Sequence, residues 1–428
     1  MQGFARRHTV KAALTWLDAQ LRTLGAEDVP LRPAAGRVLA SSISSDVDIP
    51  GFDRATMDGY AVVADSTEGA TAYNRVPLTV VGDAMPGSPF ARAIARGEAV
   101  RIMTGAPMPA GSDAVVPAES VETDPDARDR VLAIAAVSPQ KNVGHRGEDI
   151  VAGTVVLEAG RALRPQDLGV ISSIGLDRVR VVRQPRVRLV ITGNELLASG
   201  SKPHGVHITD ANGPMLTALA ERDGGIVDFP GLVRDDAAAI LGALGPPAAF
   251  AHGATAPKEG GPYDPDIIIV SGGSSVGIED LAPMLVATHG ELAVHGIAMR
   301  PSSPTGMGTL GSRLVFLLPG NPVSALCAYD FFAGRAIRAL GGRSKEWPYR
   351  RIRGVLTRKI SSPVGRLDYA RVRIDLSISL GARASVEPLA VTGASVLSST
   401  TRADGFVIVG DDSEGFSAGA EVDVWLYA

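Results

Sequence analysis

The stretch DIIIVSGGSSVGIED, residues 266–280, passes from an apolar run into a turn of glycines and serines and ends on two acids. It belongs to a series. RVRLVIT (186–192), GPMLTALAERDG (213–224), GIVDFPGLV (225–233), DDAAAILGAL (235–244), LAPMLVATHG (281–290), RLVFLL (313–318) and SALCAYDFFAGRAIRAL (324–340) alternate short apolar runs with longer helical patterns. That alternation predicts βαβ units and a doubly wound, parallel sheet over 183–340. GPPAAFAHGATAPKEGGPYDPD (245–266) interrupts it without periodicity and is expected to be an inserted loop.

Three strands of this region run into comparable turns: VRLVIT into GNEL, DIIIV into SGGSSVGIED, and RLVFLL into PGNPVS. In an open parallel sheet, ligands bind beyond the carboxyl ends of the strands, so all three turns are expected to face one crevice. Glycines let the backbone approach a ligand closely, and free N–H groups at a following helix start favour an anion. Pro322 after Asn321 fits such a start. Glu195 and Asp280 border the same turns, and carboxylates beside phosphates commonly hold Mg²⁺. Helix capping is the competing reading for Asp280.

Outward from this region the character changes. Leu14, Leu17, Leu21 and Leu24 recur at helical spacing in HTVKAALTWLDAQLRTL (8–24), predicting an amphipathic helix. Short Val-rich runs between Gly, Pro and Asp clusters over 49–149 predict a β module, and RPQDLGVISSIGL (164–176) a helix opened by Pro165. From about 345 the runs RIRGVLT, YARVRIDL, GFVIVG and EVDVWLYA predict a small all-β domain at 345–428. Within the β module, MDGYA (57–61) carries Asp58, RIMTGAPMPAGSDAVV (101–116) carries Thr104, and HRGEDI (145–150) carries Asp149. An Asp-Gly pair by itself is usually a turn, and His145 lacks a partner at metal-binding spacing.

Composition narrows the function. With 428 residues several cores are expected. Lys plus Arg number 42 against 46 Asp plus Glu, spread along the chain, which disfavours a nucleic-acid partner. Cys327, the single cysteine, lies in the apolar stretch SALCAYDFF and is expected in the core. No apolar run approaches the roughly 18 residues of a membrane span, and MQGFARRHTV lacks signal-peptide character, so a soluble, cytoplasmic protein is expected.

MDGYA, RIMTGAPMPAGSDAVV, HRGEDI, LVITGNEL, SGGSSVGIED and LPGNPVS occur in the order seen in the MoeA family, the molybdopterin molybdenumtransferases, which include the gephyrin E domain. The chain resembles that family over nearly its whole length. The resemblance implies an elongated N-terminal domain (1–48 and 150–182), an inserted β domain (49–149), an α/β molybdopterin-binding domain (183–340) and a C-terminal β-barrel (345–428). It further implies a homodimer whose active site joins the α/β domain of one subunit to the inserted β domain of the other. The implied reaction inserts molybdate into adenylylated molybdopterin and releases AMP, with Mg²⁺ as cofactor and a molybdoenzyme or adenylyltransferase as a further partner. By motif match, Asp58, Thr104, Asp149, Glu195 and Asp280 fall on active-site positions, Glu195 and Asp280 doubling as metal ligands. Ser271, Gly272, Gly273, Ser275, Gly277, Pro319, Gly320, Asn321, Pro322 and Ser324 fall in the binding turns, with Ser324 as a donor to molybdate.

The sequence departs from the family at one informative place. Where members commonly carry Lys-Pro-Gly-Lys-Pro, this chain has Arg300-Pro301-Ser302-Ser303-Pro304. Arg300 retains the first cation, Ser303 lacks the second, and Ser302 replaces the glycine. Ala55 and Ser274 are lesser departures. Two alternatives therefore accompany the insertase reading: a non-catalytic paralogue that binds or delivers the pterin cofactor, and an insertase for tungstate.

Overall fold

A computed structural model describes residues 7–245, 264–273, 281–375, 384–390 and 396–427. The chain divides into two compact units, Met1–Glu27, Gly36–Val38 and Arg180–Ala428 forming one, Asp28–Ala35 and Leu39–Val179 the other.

The first unit is built on a mixed sheet with strand order 226–228, 186–192, 267–271, 313–318, 306–310, 291–295. Its central strands, Arg186–Thr192, Ile267–Ser271 and Arg313–Leu318, are parallel as the alternation predicts. Their side chains divide by parity, because successive residues of a strand point to opposite faces. Leu189, Ile191, Ile267, Ile269 and Phe316 pack with the N-terminal helix Val10–Gln20 and with the helical run from Pro322. Val190, Ile268, Val270, Val315 and Leu317 pack on the opposite face against the helices Ala237–Leu244 and Leu281–His289. This is the double winding expected of the region. The alternation missed the edge: Glu291–His295 and Gly306–Leu310 add antiparallel strands. ELAVH and GMGTL are too short and mixed to stand out without their pairing partners.

The helical run Pro322–Leu340 contains a π-helical turn at Tyr329–Ala333, and Cys327 is buried within it. The expected 245–266 loop lies outside the described residues from 246 to 263. Beyond Leu340 the chain forms a closed five-stranded barrel in the order 367–375, 384–390, 350–356, 421–426, 405–409, the last pairing back with the first. Ala384–Ala390 is a barrel strand that the sequence patterns had not marked.

The second unit carries a six-stranded sheet ordered 114–117, 59–62, 98–102, 76–84, 130–133, 121–123. The predicted helix is present as Pro165–Ser173, with Pro165 in its first turn and the Arg164 N–H donating to Asp167 at 2.9 Å.

Candidate active site

The three Gly-rich turns of the α/β region line one crevice of about 480 Å³ at the carboxyl ends of the parallel strands. Gly193, Ser271, Gly272, Gly273, Gly320, Asn321 and Pro322 all contribute. The approach at Gly272 requires glycine. Gly272 has φ +105°, and a Cβ there would lie 2.0 Å from the Thr192 carbonyl oxygen. Gly320 in turn sits with only the Gly272 Cα near its own Cβ position, at 3.6 Å.

Asn212 ties two of these turns together. Its Nδ2 donates to Ser271 Oγ at 2.9 Å and to the Gly320 carbonyl at 2.8 Å, while its buried Oδ1 makes no hydrogen bond among the described residues. Asp210 accepts from the Asn212 and Gly213 N–H groups, fixing the start of the helix Asn212–Arg222. Glu195 and Asp235 line the crevice, and Thr192 Oγ1 donates to Asp235 Oδ1 at 3.2 Å. Asn212, Asp210 and Asp235 were not singled out by motif. A polar cluster at a predicted helix start, in TDANGP, and a doubled acid after a short strand, in RDD, were the available signals. Ser275, Gly277 and Asp280 lie outside the described residues.

Arg300, Ser303, Pro319, Asn321 and Ser324 line a second cavity, of about 390 Å³, which also includes Arg366 and Arg371 from the barrel. Asn321 borders both spaces. The charge of Arg300 is paired with the buried Asp368, which also accepts from Arg366 at 3.1 Å. The cation kept at position 300 is therefore shared with a carboxylate, and Arg366 and Arg371 bring further positive charge to the wall. Ser303 Oγ is buried there without a hydrogen-bond partner among the described residues. Ser302 has φ +95°, the left-handed region that favours glycine. Its hydroxyl donates to the Ser324 carbonyl at 2.6 Å, which offsets part of the cost of a side chain there.

In the second unit, adjacent strand ends bring the MDGYA and MTGAP segments together. Gly59 pairs with Ile102, so Asp58 and Thr104 emerge side by side. Asp58 Oδ1 accepts from the Thr104 hydroxyl and N–H, both at 2.7 Å, and these bonds hold its pKa below the usual carboxylate value. Gly59 itself is obligatory, because a Cβ would stand 2.0 Å from the Val116 carbonyl oxygen. Asp149 lies exposed on the segment that bonds along residues 49–55, its N–H donating to the Ile49 carbonyl at 3.0 Å. His145 is a surface residue 3.9 Å from Asp53. Exposed Phe52, Met57 and Met103 belong to these same segments.

Comparison with known proteins agrees with this arrangement. Residues 8–175 match the MoeA N-terminal region (domain I and II), 188–339 a family described as a probable molybdopterin binding domain, and 353–427 the MoeA C-terminal region (domain IV). The chain is 34% identical to molybdopterin molybdenumtransferase 2 of Mycobacterium tuberculosis, over 93% of this chain and 94% of that protein. It is 30% identical to the molybdopterin molybdenumtransferase of Staphylococcus aureus, covering 97% and 95%. Among solved structures, a molybdopterin biosynthesis MoeA protein from Pyrococcus horikosii superposes with a TM-score of 0.77 at 30% identity, covering 98% and 99% of the two chains.

Proposed function

Since the chain belongs to the MoeA family of molybdopterin molybdenumtransferases, we propose that it inserts molybdate into adenylylated molybdopterin and releases AMP. The observation that carries this reading is the pairing of two spaces that share Asn321, one rimmed by carboxylates and floored by glycine turns, the other lined by arginines and by the Ser303 hydroxyl, which has no partner among the described residues. The first suits a pterin with its diphosphate, whose oxygens need close backbone donors. The second suits a small oxyanion, held by Arg366, Arg371 and Ser303 beside the substrate.

Glu195 and Asp235 offer hard oxygen donors at the crevice rim. No group of three or more His, Cys, Asp or Glu side chains among the described residues could hold a metal alone, which fits an ion such as Mg²⁺ that takes one or two carboxylates and completes its shell with phosphate and water. Bound there, Mg²⁺ would neutralise charge on the departing phosphate. Asp280 remains the further expected ligand.

The same proposal includes a homodimer in which Asp58, Thr104 and Asp149 of one copy complete the crevice of the other. Supporting it are the exposure of Asp58 and the exposed apolar Phe52, Met57 and Met103 beside it. A cytoplasmic location and delivery of product to a molybdoenzyme belong to the reading as well. Among the described residues, no helix is long and apolar enough to cross a membrane.

The test is AMP release from adenylylated molybdopterin with Mg²⁺ across molybdate and tungstate titrations, for the wild type and Ser303→Lys. Molybdate-dependent release is expected, with a lower half-saturating molybdate concentration in the variant. Pterin binding without AMP at any oxyanion level would make the protein a cofactor-binding relative, the reading that the pairing of Arg300 with Asp368 favours. Release with tungstate alone would reassign the oxyanion.

A further inference from the structure

Away from both cavities, the segment HGVH (204–207) forms the tip of a narrow hairpin. His207 N–H donates to the His204 carbonyl at 2.9 Å and His204 N–H to the His207 carbonyl at 3.3 Å, closing a two-residue turn on Gly205, with φ +58°, and Val206. Residues directly opposite across a hairpin project their side chains to the same face. The two imidazole rings accordingly stack, with centroids 5.4 Å apart and planes 22° from parallel, close enough that rotation of each ring about its χ2 turns a nitrogen of both toward one ion. Two imidazoles bound to one ion through nitrogens about 2.1 Å from it have ring centres roughly 5 to 6 Å apart.

The first histidine is already oriented. His204 Nδ1 lies 3.3 Å from the Lys202 carbonyl, so an Nδ1–H donated there leaves the Nε2 lone pair outward, the arrangement that metal-bound histidines use. The pair sits at the surface, with His204 exposed, His207 half-buried and the intervening Val206 85% exposed. We propose that His204 and His207 form a two-histidine site for a transition-metal dication of the Zn²⁺ class. Imidazole selects Zn²⁺, Ni²⁺ or Cu²⁺ over Mg²⁺, which separates this site from the crevice carboxylates. With no third such side chain completing the group among the described residues, water fills the remaining coordination positions.

The position gives the ion a role. Ile208 N–H donates to the Glu195 carbonyl at 3.0 Å, and the segments 196–197 and 208–209 pair in parallel. An ion clasping the hairpin tip stiffens the strand pair that carries Glu195 to the crevice.

The experiment titrates the full chain with Zn²⁺ against a chromophoric chelator, for the wild type, His204→Gln, His207→Gln and Glu195→Gln. One Zn²⁺ per chain is expected for the wild type and Glu195→Gln, with binding at least about tenfold weaker in each histidine variant. Thermal melts of both histidine variants should match the wild type without metal, since neither side chain is buried. Wild-type affinity in either histidine variant, loss of binding in Glu195→Gln, or absence of stoichiometric binding to the wild type would overturn the assignment.

Discussion

Asp58 receives both of its hydrogen bonds on one carboxylate oxygen, from the hydroxyl and the N–H of Thr104. The second oxygen accepts no hydrogen bond among the described residues, and with its pKa held below the usual carboxylate value the group is ionised throughout the neutral range. Asp58→Asn is expected to lower AMP release by at least about a hundredfold, the scale of a lost catalytic carboxylate, while thermal unfolding stays at the wild-type temperature because the side chain is exposed. Thr104→Val removes one of the two donors. It should raise the Asp58 pKa in a carboxylate NMR titration and reduce activity less than the aspartate change does. Wild-type turnover in Asp58→Asn would take the residue out of the mechanism.

At the scale of elements, the crevice depends on how closely three turns approach one another. Gly272 combines a positive φ with a backbone oxygen 2.0 Å from the position of a Cβ, so Gly272→Ala incurs both conformational strain and overpacking. Taken together these amount to roughly 2 to 6 kcal/mol, measurable as a shift in urea midpoint. Pterin binding should fall with it, because the Thr192, Ser271 and Gly320 turns cannot stay in register. A variant of wild-type stability would show that the turn has room to relax. The glycines and the strand runs into them were readable in the sequence, since both are local patterns. The antiparallel pair 291–295 and 306–310 was not, because these strands are defined by pairing with each other and, for 306–310, with Arg313–Leu318 rather than by their own composition.

At the scale of the molecule, the α/β region and the barrel meet around Asp330. This fully buried carboxylate accepts from Tyr349 Oη at 2.8 Å and Tyr369 Oη at 3.3 Å, with Arg222 at 3.8 Å. Burial raises its pKa to about 6, against the opposing pull of Tyr349 and Arg222. A raised folded-state pKa means that the native state binds the proton more tightly than the unfolded chain. Stability from this group is therefore full below the unfolded value near 3.9 and drains as pH rises to about 6. Asp330→Asn should remove that slope, a difference growing to roughly 3 kcal/mol between pH 4 and pH 6 and level above it. Urea midpoints across this range check it, and parallel curves for the two proteins would contradict it. The proposed dimer is tested by mixing two inactive variants, Asp58→Asn and Glu195→Gln. Statistical exchange of subunits around a two-fold axis restores about a quarter of wild-type activity if each site draws on both copies. No recovery after exchange would confine the site to one chain.

By itself the sequence determined the alternation of central strands and helices, the double winding of the α/β region, the burial of Cys327 and the positions of the glycine turns. Each rests on periodicity, turn chemistry or apolar composition within a few residues of chain. Its motifs also carried the family, because Asp58, Thr104, Asp149 and Glu195 stand in segments whose order along the chain is distinctive. Tertiary structure alone decided which side chains share a space. Asn212 joins turns that are 59 and 108 residues away in the chain. Asp368 takes up the charge of Arg300 from 68 residues away, and Arg366 and Arg371 enter the second cavity from a barrel whose closure no local pattern records. Hydrogen bonds and ion pairs depend on distance in space, and separation along the chain does not encode that distance until the sheet and the barrel have closed.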